Sequence, residues 1–470
     1  MSEVSLASAA AGAVPAEVSG RLPAVAAPRL PLRIVFGWGL GCFAASTMYQ
    51  ATTVLLLRYL ITYVGLAAPL AGTLIGVTKL YDGVADPLIG ALSDRTRTRW
   101  GRRRPYILLG GLASALTFVG LFSLPYFDGG GWRTVIAATF LMANTTAYAL
   151  LSIPQLAMPA EMTQDFHERT FLMSFRVGGL ALAQLSGSVL GPFIIAHYGG
   201  ATRGHAMMGV LLGALIGAVS VASFFATRGA PATLAPPSSQ IPWRGKLKLA
   251  LGNRPFVILI AAKLSNLIAV SWYFALLPFL FNDVMRVGYG KLAVYFLFQG
   301  VTMLCAQPFL VALSRRIGKK RLFYFCACAY GLVVASWSLA APGDPLWHAM
   351  LRAVAIGFFG GGTLLATTAL LPDAIAYDFT RTGLRREGVF AGVFTTVEKV
   401  AAAVAAVLVS VALRFGGYIE GAQGAAIQPA SAIAAIRGST LAPIFCCLMA
   451  AFWLTAFTLP EQQQRSSQTA

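Results

Sequence analysis

Long apolar stretches recur along the chain at 33–63, 68–93, 105–126, 132–159, 169–197, 205–227, 255–283, 290–314, 322–341, 346–377, 388–416 and 436–459. Each is long enough to cross a hydrocarbon layer of about 30 Å as a helix. Basic residues gather mainly in the short connections between them, and "TRGAPATLAPPSSQIPWRGKLKLALGNRP" interrupts the pattern with Pro, Ser and basic residues. The pattern predicts an all-α membrane protein with twelve transmembrane helices in two six-helix halves, 33–227 and 255–459. A cytoplasmic linker is expected at 228–254, a disordered cytoplasmic tail at 1–32 and a second cytoplasmic tail at 460–470.

An internal repeat supports the division into halves. "DPLIGALSDRTRTRWGRRRP" after the second stretch corresponds to "QPFLVALSRRIGKKRLF" after the eighth, each keeping Pro, then Ala-Leu-Ser, then a basic turn with Gly. Paired six-helix halves with a solute site at their interface are the plan of the major facilitator fold. The repeat also isolates an anomaly. Asp86 precedes Pro87 in the first copy, whereas Gln307 precedes Pro308 in the second, so the turn itself does not require an acid.

Composition narrows the picture. The chain is 57% hydrophobic and 11% charged with mean hydropathy +0.70, against about 25% charged residues in soluble proteins. A net charge of +19 could indicate nucleic-acid binding if it formed a stripe on a soluble face. Instead the bases cluster in short loops such as "RTRTRWGRRR" and "RRIGKKR", which by the positive-inside rule face the cytoplasm and place the chain in the inner (plasma) membrane with both termini cytoplasmic. Six cysteines in apolar runs, with no CxxC pair, read as small core residues. The first 20 residues lack the basic start and apolar core of a signal peptide. Four histidines without an HExxH pair, and the absence of GxSxG or P-loop motifs, argue against an enzyme, and no cofactor is implied.

Asp82 and Asp86 are four residues apart and share one helix face. Counting back from Asp94 puts them roughly 18 and 12 Å into the membrane. A charge there costs about 2.5–3.5 kcal/mol on insertion scales, so such residues face the bundle interior and mark ion or solute paths. The competing reading is that Lys79 and another interior base pair with them simply to hold helices together. Candidate bases are Lys399, Arg176 and Lys263; Arg176 could reach the interior or the cytoplasmic rim. For Lys263 and Glu398, snorkelling or a helix-to-helix hydrogen bond competes on equal terms with a role in transport. Among them Lys399 is the strongest candidate.

The stretch "KLYDGVADPLIGALSDRTRTRWGRRRPYILLG" resembles the signature of the glycoside-pentoside-hexuronide:cation symporters, the melibiose-carrier branch of the major facilitator superfamily. "SIPQLAMPAEMTQDFHERTFLMSFR" and "LPDAIAYDFTRTGLRREGVFAGVFTTVEK" agree with that family's segments after the fourth helix and across the tenth and eleventh. The resemblance implies that Asp82 and Asp86 form the cation site, with Lys79 beside them and Lys399 coupled to them. It places Arg176 near the sugar. Asp94, Arg95, Arg102, Glu161, Arg169, Asp373, Asp378 and Arg386 fall in segments that would form cytoplasmic gate ion pairs.

Departures from that pattern are informative. Melibiose carriers grip sugar hydroxyls with acids where this chain has Ser46 and Ser152, and their cation-site Asn and Thr are here Ala85 and Ala149. Na⁺ at Asp82 and Asp86 would need a well-filled oxygen shell, as hard cations do, whereas a proton needs only one desolvated carboxylate. H⁺ is therefore favoured over Na⁺ as the coupling ion. Cavity candidates are Tyr49, Gln50, Asn144, Tyr148, Ser152, Gln155, Gln184, Trp272, Tyr273, Gln299 and Thr396, a set suited to a glycoside or another polyol. The expectation is a monomeric symporter of a sugar-like solute. A carrier of an amphipathic or lipid-like solute is the alternative, and a receptor or scaffold is less favoured.

Overall fold

Hydrocarbon offers no partner to backbone N–H and C=O groups, so an apolar chain of this length satisfies them as helices. The protein, seen in a computed structural model, is described at residues 30–127, 130–163, 166–231, 245, 251–382, 387–421 and 427–457. The expected tails, apart from residues 30–32, and most of the expected linker lie outside these residues. So do Arg386 and the side chain of Arg169.

Among the described residues, six long helical segments precede the linker and six follow it. The first six are α1 Leu32–Tyr63, α2 Ala68–Arg95, α3 Arg104–Phe122, α4 Arg133–Ala157, α5 running from Phe166–Leu185 through Ser186–Leu190 to Gly191–His197, and α6 Thr202–Ala226. The second six are α7 Arg254–Val284, α8 Gly288–Ile317, α9 Lys319–Leu339, α10 Leu346–Thr382, α11 Glu387–Phe415 and α12 Ala430–Thr455. Among the described residues, eleven are long and apolar enough to cross a membrane. The exception is α2, which carries Lys79, Asp82, Asp86 and Asp94; it is flanked by α4 and α11, so protein rather than lipid covers its polar face.

The packing repeats. α3 lies against α4 and α6, α1 against α5 and α6, and α2 against α4; α9 lies against α10 and α12, α7 against α11 and α12, and α8 against α10. Adding six to each number in the first set yields the second. The halves meet through α2 on α11, its counterpart α8 on α5, and α1 on α7. The ends of α1 and α7 repeat in detail: each closes in a π-helical turn, Tyr59–Tyr63 and Leu280–Val284. Equivalent backbone bonds follow, Val64 N–H to Tyr59 O and Leu66 N–H to Leu60 O, then Met285 N–H to Leu280 O and Val287 N–H to Phe281 O. The left-handed position in that turn is Gly65 in one half and Arg286 in the other (φ 77° and 58°).

Two glycines set how closely the halves approach. A Cβ at Gly72 of α2 would meet the Ser410 side chain and the Ala406 carbonyl of α11, and one at Gly76 would meet Val407. Small residues let membrane helices pack backbone to backbone. Gly72→Val should therefore wedge α2 from α11 and destabilise the protein by about 1–3 kcal/mol, as overpacking does. Thermal unfolding in detergent checks this, and an unchanged melting temperature would show that the contact tolerates bulk.

Candidate coupling and solute site

α2 and α11 run antiparallel, so the Gly72–Ser410 and Gly76–Val407 contacts fix their register. Further along, that register brings Lys399 of α11 level with the α2 acids. Lys399 Nζ donates directly to Asp86 Oδ2 and stands 3.7 Å from Asp82 Oδ2, while Lys79 Nζ is 3.8 Å from the same Asp82 oxygen. Two carboxylates and two ammonium groups thus form one neutral cluster spanning the halves. Asp82 is almost fully buried, at 1% exposure. Asp82 Oδ1 and Asp86 Oδ1 have no hydrogen-bond partner among the described residues. A buried acceptor left unmet is costly, so both oxygens are places for a proton, a cation or a solute hydroxyl to bind.

On one side the acids border residues without side-chain oxygen. Ala85 and Ala149 are buried with Ile89 in a small apolar cluster, packed by Tyr81, Leu150 and Ile153. The Thr78 hydroxyl is spent on the Ile75 carbonyl. Beside the acids lie two adjoining cavities. One is bounded by Met48, Tyr49, Thr52, Lys79, Asp82, Asn144, Thr145 and Tyr148. The other continues along α1, α2 and α4 to Ser271 and Ala275 of α7 and Ala402 and Ala406 of α11. The Tyr49 and Tyr148 rings sit 6.0 Å apart, and Lys79 Nζ lies 5.3 Å from the Tyr49 ring centre. The chemistry is therefore aromatic and hydroxyl-rich on one side, ionic on the other.

The structure sorts the residues expected from sequence. Lys79, Asp82, Asp86, Lys399, Tyr49, Tyr148 and Asn144 come together. Thr396 precedes Lys399 by three residues and bonds the Gly392 carbonyl. Ser152 and Arg176 are partly buried, and Arg176 makes no hydrogen bond or ion pair with a described residue. Gln50 sits where a Cβ on Gly187 of α5 would reach it. Trp272 is buried with its indole N–H unmet among the described residues. Tyr273 turns away from the cavities: it is 1% exposed, hydrogen-bonds the Tyr295 hydroxyl and packs near Tyr330. Gln155 is likewise turned to α1: its side-chain Nε2 donates to the Trp38 carbonyl and its backbone carbonyl accepts from the Trp38 indole, while its Oε1 has no partner among the described residues. An amide and a phenol at helical spacing do not reveal which way they face; neighbouring helices decide that.

At the end carrying the basic loops, Arg102 reaches Glu161 at 2.5 Å, and Arg103 bridges Glu161 (2.9 Å) and Asp94 (3.0 Å). Lys319 holds Asp373 at 2.9 Å. Asp378 is buried with one oxygen unmet among the described residues, and Arg95 is exposed. Among the described residues these ion pairs stay within a half. Arg103 and Lys319 were not singled out on sequence, being lost among neighbouring bases.

The opposite end is different. Arg58 of α1 donates to both Asp283 oxygens of α7 (2.7 and 3.2 Å) and to the Tyr289 hydroxyl (2.8 Å), and is 2% exposed. Tyr418, after α11, donates to Asp283 at 3.0 Å and lies 3.1 Å from the Thr62 hydroxyl. Burial and the Asp283 carboxylate push the Tyr418 phenol above its ordinary range, which keeps it a donor. Glu420 accepts from the Ala68 N–H at 2.6 Å, and Gly421 N–H bonds the Ile61 carbonyl. Sequence reasoning missed this latch because a base near a helix end ordinarily snorkels. Buried tyrosines clustered at the ends of the same apolar runs were the available signal.

This fold and this site define a membrane carrier built of two related halves around a central ionic cluster. The chain belongs to the MFS/sugar transport protein family, whose model matches residues 37–461. It is 28% identical to the glucuronide carrier protein homolog of Escherichia coli (strain K12), with 92% of each chain covered. It is 24% identical to the isoprimeverose transporter of Lactiplantibacillus pentosus, over 82% of this chain and 80% of that one. Its fold matches the crystal structure of a D-xylose-proton symporter with a TM-score of 0.65, at 15% identity, over 92% and 98% of the two chains. These are transporters, not enzymes, and the resemblance drawn from sequence is upheld.

Proposed function

We propose that the protein is a symporter of a glycoside or similar sugar-like solute, driven by a proton and working by alternating access. The observation that carries this is the Asp82–Lys79–Asp86–Lys399 cluster lying between the halves and against the tyrosine-walled cavity. A carrier must couple two ligands through one element that both halves touch, and Lys399 bridging to α2 supplies it. Relatives that move a glucuronide or isoprimeverose by their names support a sugar-like solute.

H⁺ and Na⁺ would each add one positive charge to a cluster whose four charges cancel, so coordination favours the proton: it needs a single carboxylate oxygen, whereas a Na⁺ shell gains none from Ala85, Ala149 and Ile89. Protonation of one carboxylate also unbalances the cluster, but it releases its lysine, so solute hydroxyls or a rocking half can take over that contact. With the basic loops in the cytoplasm, the Arg58–Asp283 latch closes the outer end and the conformation is inward-facing. Asp94, Arg102, Glu161 and Asp373, with Arg95, Arg169, Asp378 and Arg386, would regroup across the halves when the inner end closes.

A ligand that binds the native state raises its melting temperature, so a panel of neutral glycosides and pentoses screened that way identifies the solute. Accumulation in proteoliposomes should then follow an imposed pH gradient and persist in sodium-free buffer. Strict Na⁺ dependence with indifference to the pH gradient would overturn the proton assignment. A protein that neither binds nor moves any of the panel would overturn the sugar reading.

A further inference from the structure

Glu398 and Lys263 are the ionic pair that the coupling cluster does not use. Lys263 Nζ of α7 donates to Glu398 Oε1 of α11 at 2.8 Å and to the Phe394 carbonyl at 2.7 Å, and lies 3.2 Å from the centre of the Phe394 ring. The lysine is 4% exposed and the glutamate 48%. A half-exposed carboxylate in the body of a membrane helix belongs against enclosed water, not lipid, and its position says which water. Residues four apart share a helix face. Ala402 and Ala406, one and two turns beyond Glu398, line the cavity, as do Ser271 and Ala275, two and three turns beyond Lys263. The two stripes of small residues form one cavity wall, and Glu398 follows about 6 Å along α11 from Ala402, just beyond the lining residues.

The geometry points to Glu398, oriented by Lys263, as the residue that grips the hydroxyls of an uncharged pyranoside and sets specificity against anionic sugars. This deepens the sugar-carrier reading above and rests on it. Lys263 occupies one carboxylate oxygen, and Oε2 accepts no hydrogen bond among the described residues. A carboxylate has room for about four such bonds, so two neighbouring hydroxyls fit it, with the sugar's C–H face on Tyr49 or Tyr148. First-half positions that resemble sugar-gripping acids are Ser46 and Ser152 here; the acid is supplied instead by the second half. A uronate carboxylate at the same place would meet Glu398 as a like charge.

The test compares binding of p-nitrophenyl xyloside, glucoside and galactoside with p-nitrophenyl glucuronide to the purified full-length protein in detergent. The wild type should prefer at least one neutral pyranoside to the glucuronide. Glu398→Gln keeps an acceptor for Lys263, yet should weaken that pyranoside by about 10- to 100-fold, the value of a charge-assisted hydrogen bond, and narrow the preference. Glu398→Asp withdraws the carboxylate but keeps its charge, so it should lose affinity while retaining the discrimination. If Glu398→Gln binds the neutral pyranoside as the wild type does, or weakens all probes equally, the assignment is overturned and the carrier reading stands. If the wild type binds none of the probes, the sugar reading fails and takes this assignment with it.

Discussion

Asp86→Asn should abolish concentrative uptake while leaving the protein folded in the membrane. Asp86 is the direct acceptor of the Lys399 ammonium, the contact joining α2 to α11. An amide can still accept from Lys399, so the helices stay together, but it cannot take up and release a proton. In proteoliposomes the variant should exchange solute across the membrane yet lose the roughly tenfold accumulation that about 1.4 kcal/mol of proton driving force supports. The variant also leaves two lysines facing one acid. Asp86→Asn combined with Lys399→Met restores the charge balance; it should recover any stability lost by the single change without recovering accumulation. Normal accumulation by Asp86→Asn would remove Asp86 from the coupling path.

The second large effect is expected at the opposite end. Arg58→Met strands the buried Asp283 carboxylate, and Asp283→Leu strands the Arg58 guanidinium. Either should cost about 3–5 kcal/mol of stability, the price of leaving a buried charge without its partner. The double substitution removes both charges and should restore most of the melting temperature. It should not restore the latch. With Thr53, which lines the cavity, replaced by cysteine in a background free of native cysteines, an impermeant thiol reagent added at the latch end should label the Arg58–Asp283 double variant at least about tenfold faster, as a shift of about 1.4 kcal/mol in the closed population requires. Equal labelling rates would mean that apolar packing, not the ion pair, holds that end shut.

The positions of the twelve helices were legible because membrane helices announce themselves by length and apolarity, and the structure moves most boundaries by only a few residues. The acid pair was legible because a charge deep in an apolar run is costly and therefore conspicuous. The cavity wall was only half legible. Tyr49 and Tyr148 meet as the polar-aromatic pattern suggested, but Tyr273 belongs to the Tyr295–Tyr330 core and Gln155 to the α1–α4 contact. Helical periodicity tells which residues share a face, not which face is turned to the cavity.

The amino-acid order alone determined that the chain is a helical membrane protein in two halves and that α2 carries an ionisable pair, because hydrophobicity, charge placement and repeat are local properties of the string. Which charges neutralise one another was decided only in three dimensions. Lys399 meets Asp86 across 313 positions of sequence, and Arg58 meets Asp283 across 225. Lys263 of α7 holds Glu398 while the adjacent Lys399 turns toward α2. These partnerships follow from Gly72 and Gly76 letting α2 settle on α11, and from α1 closing on α7. Coulomb attraction selects a partner by distance through space, which the linear sequence does not record.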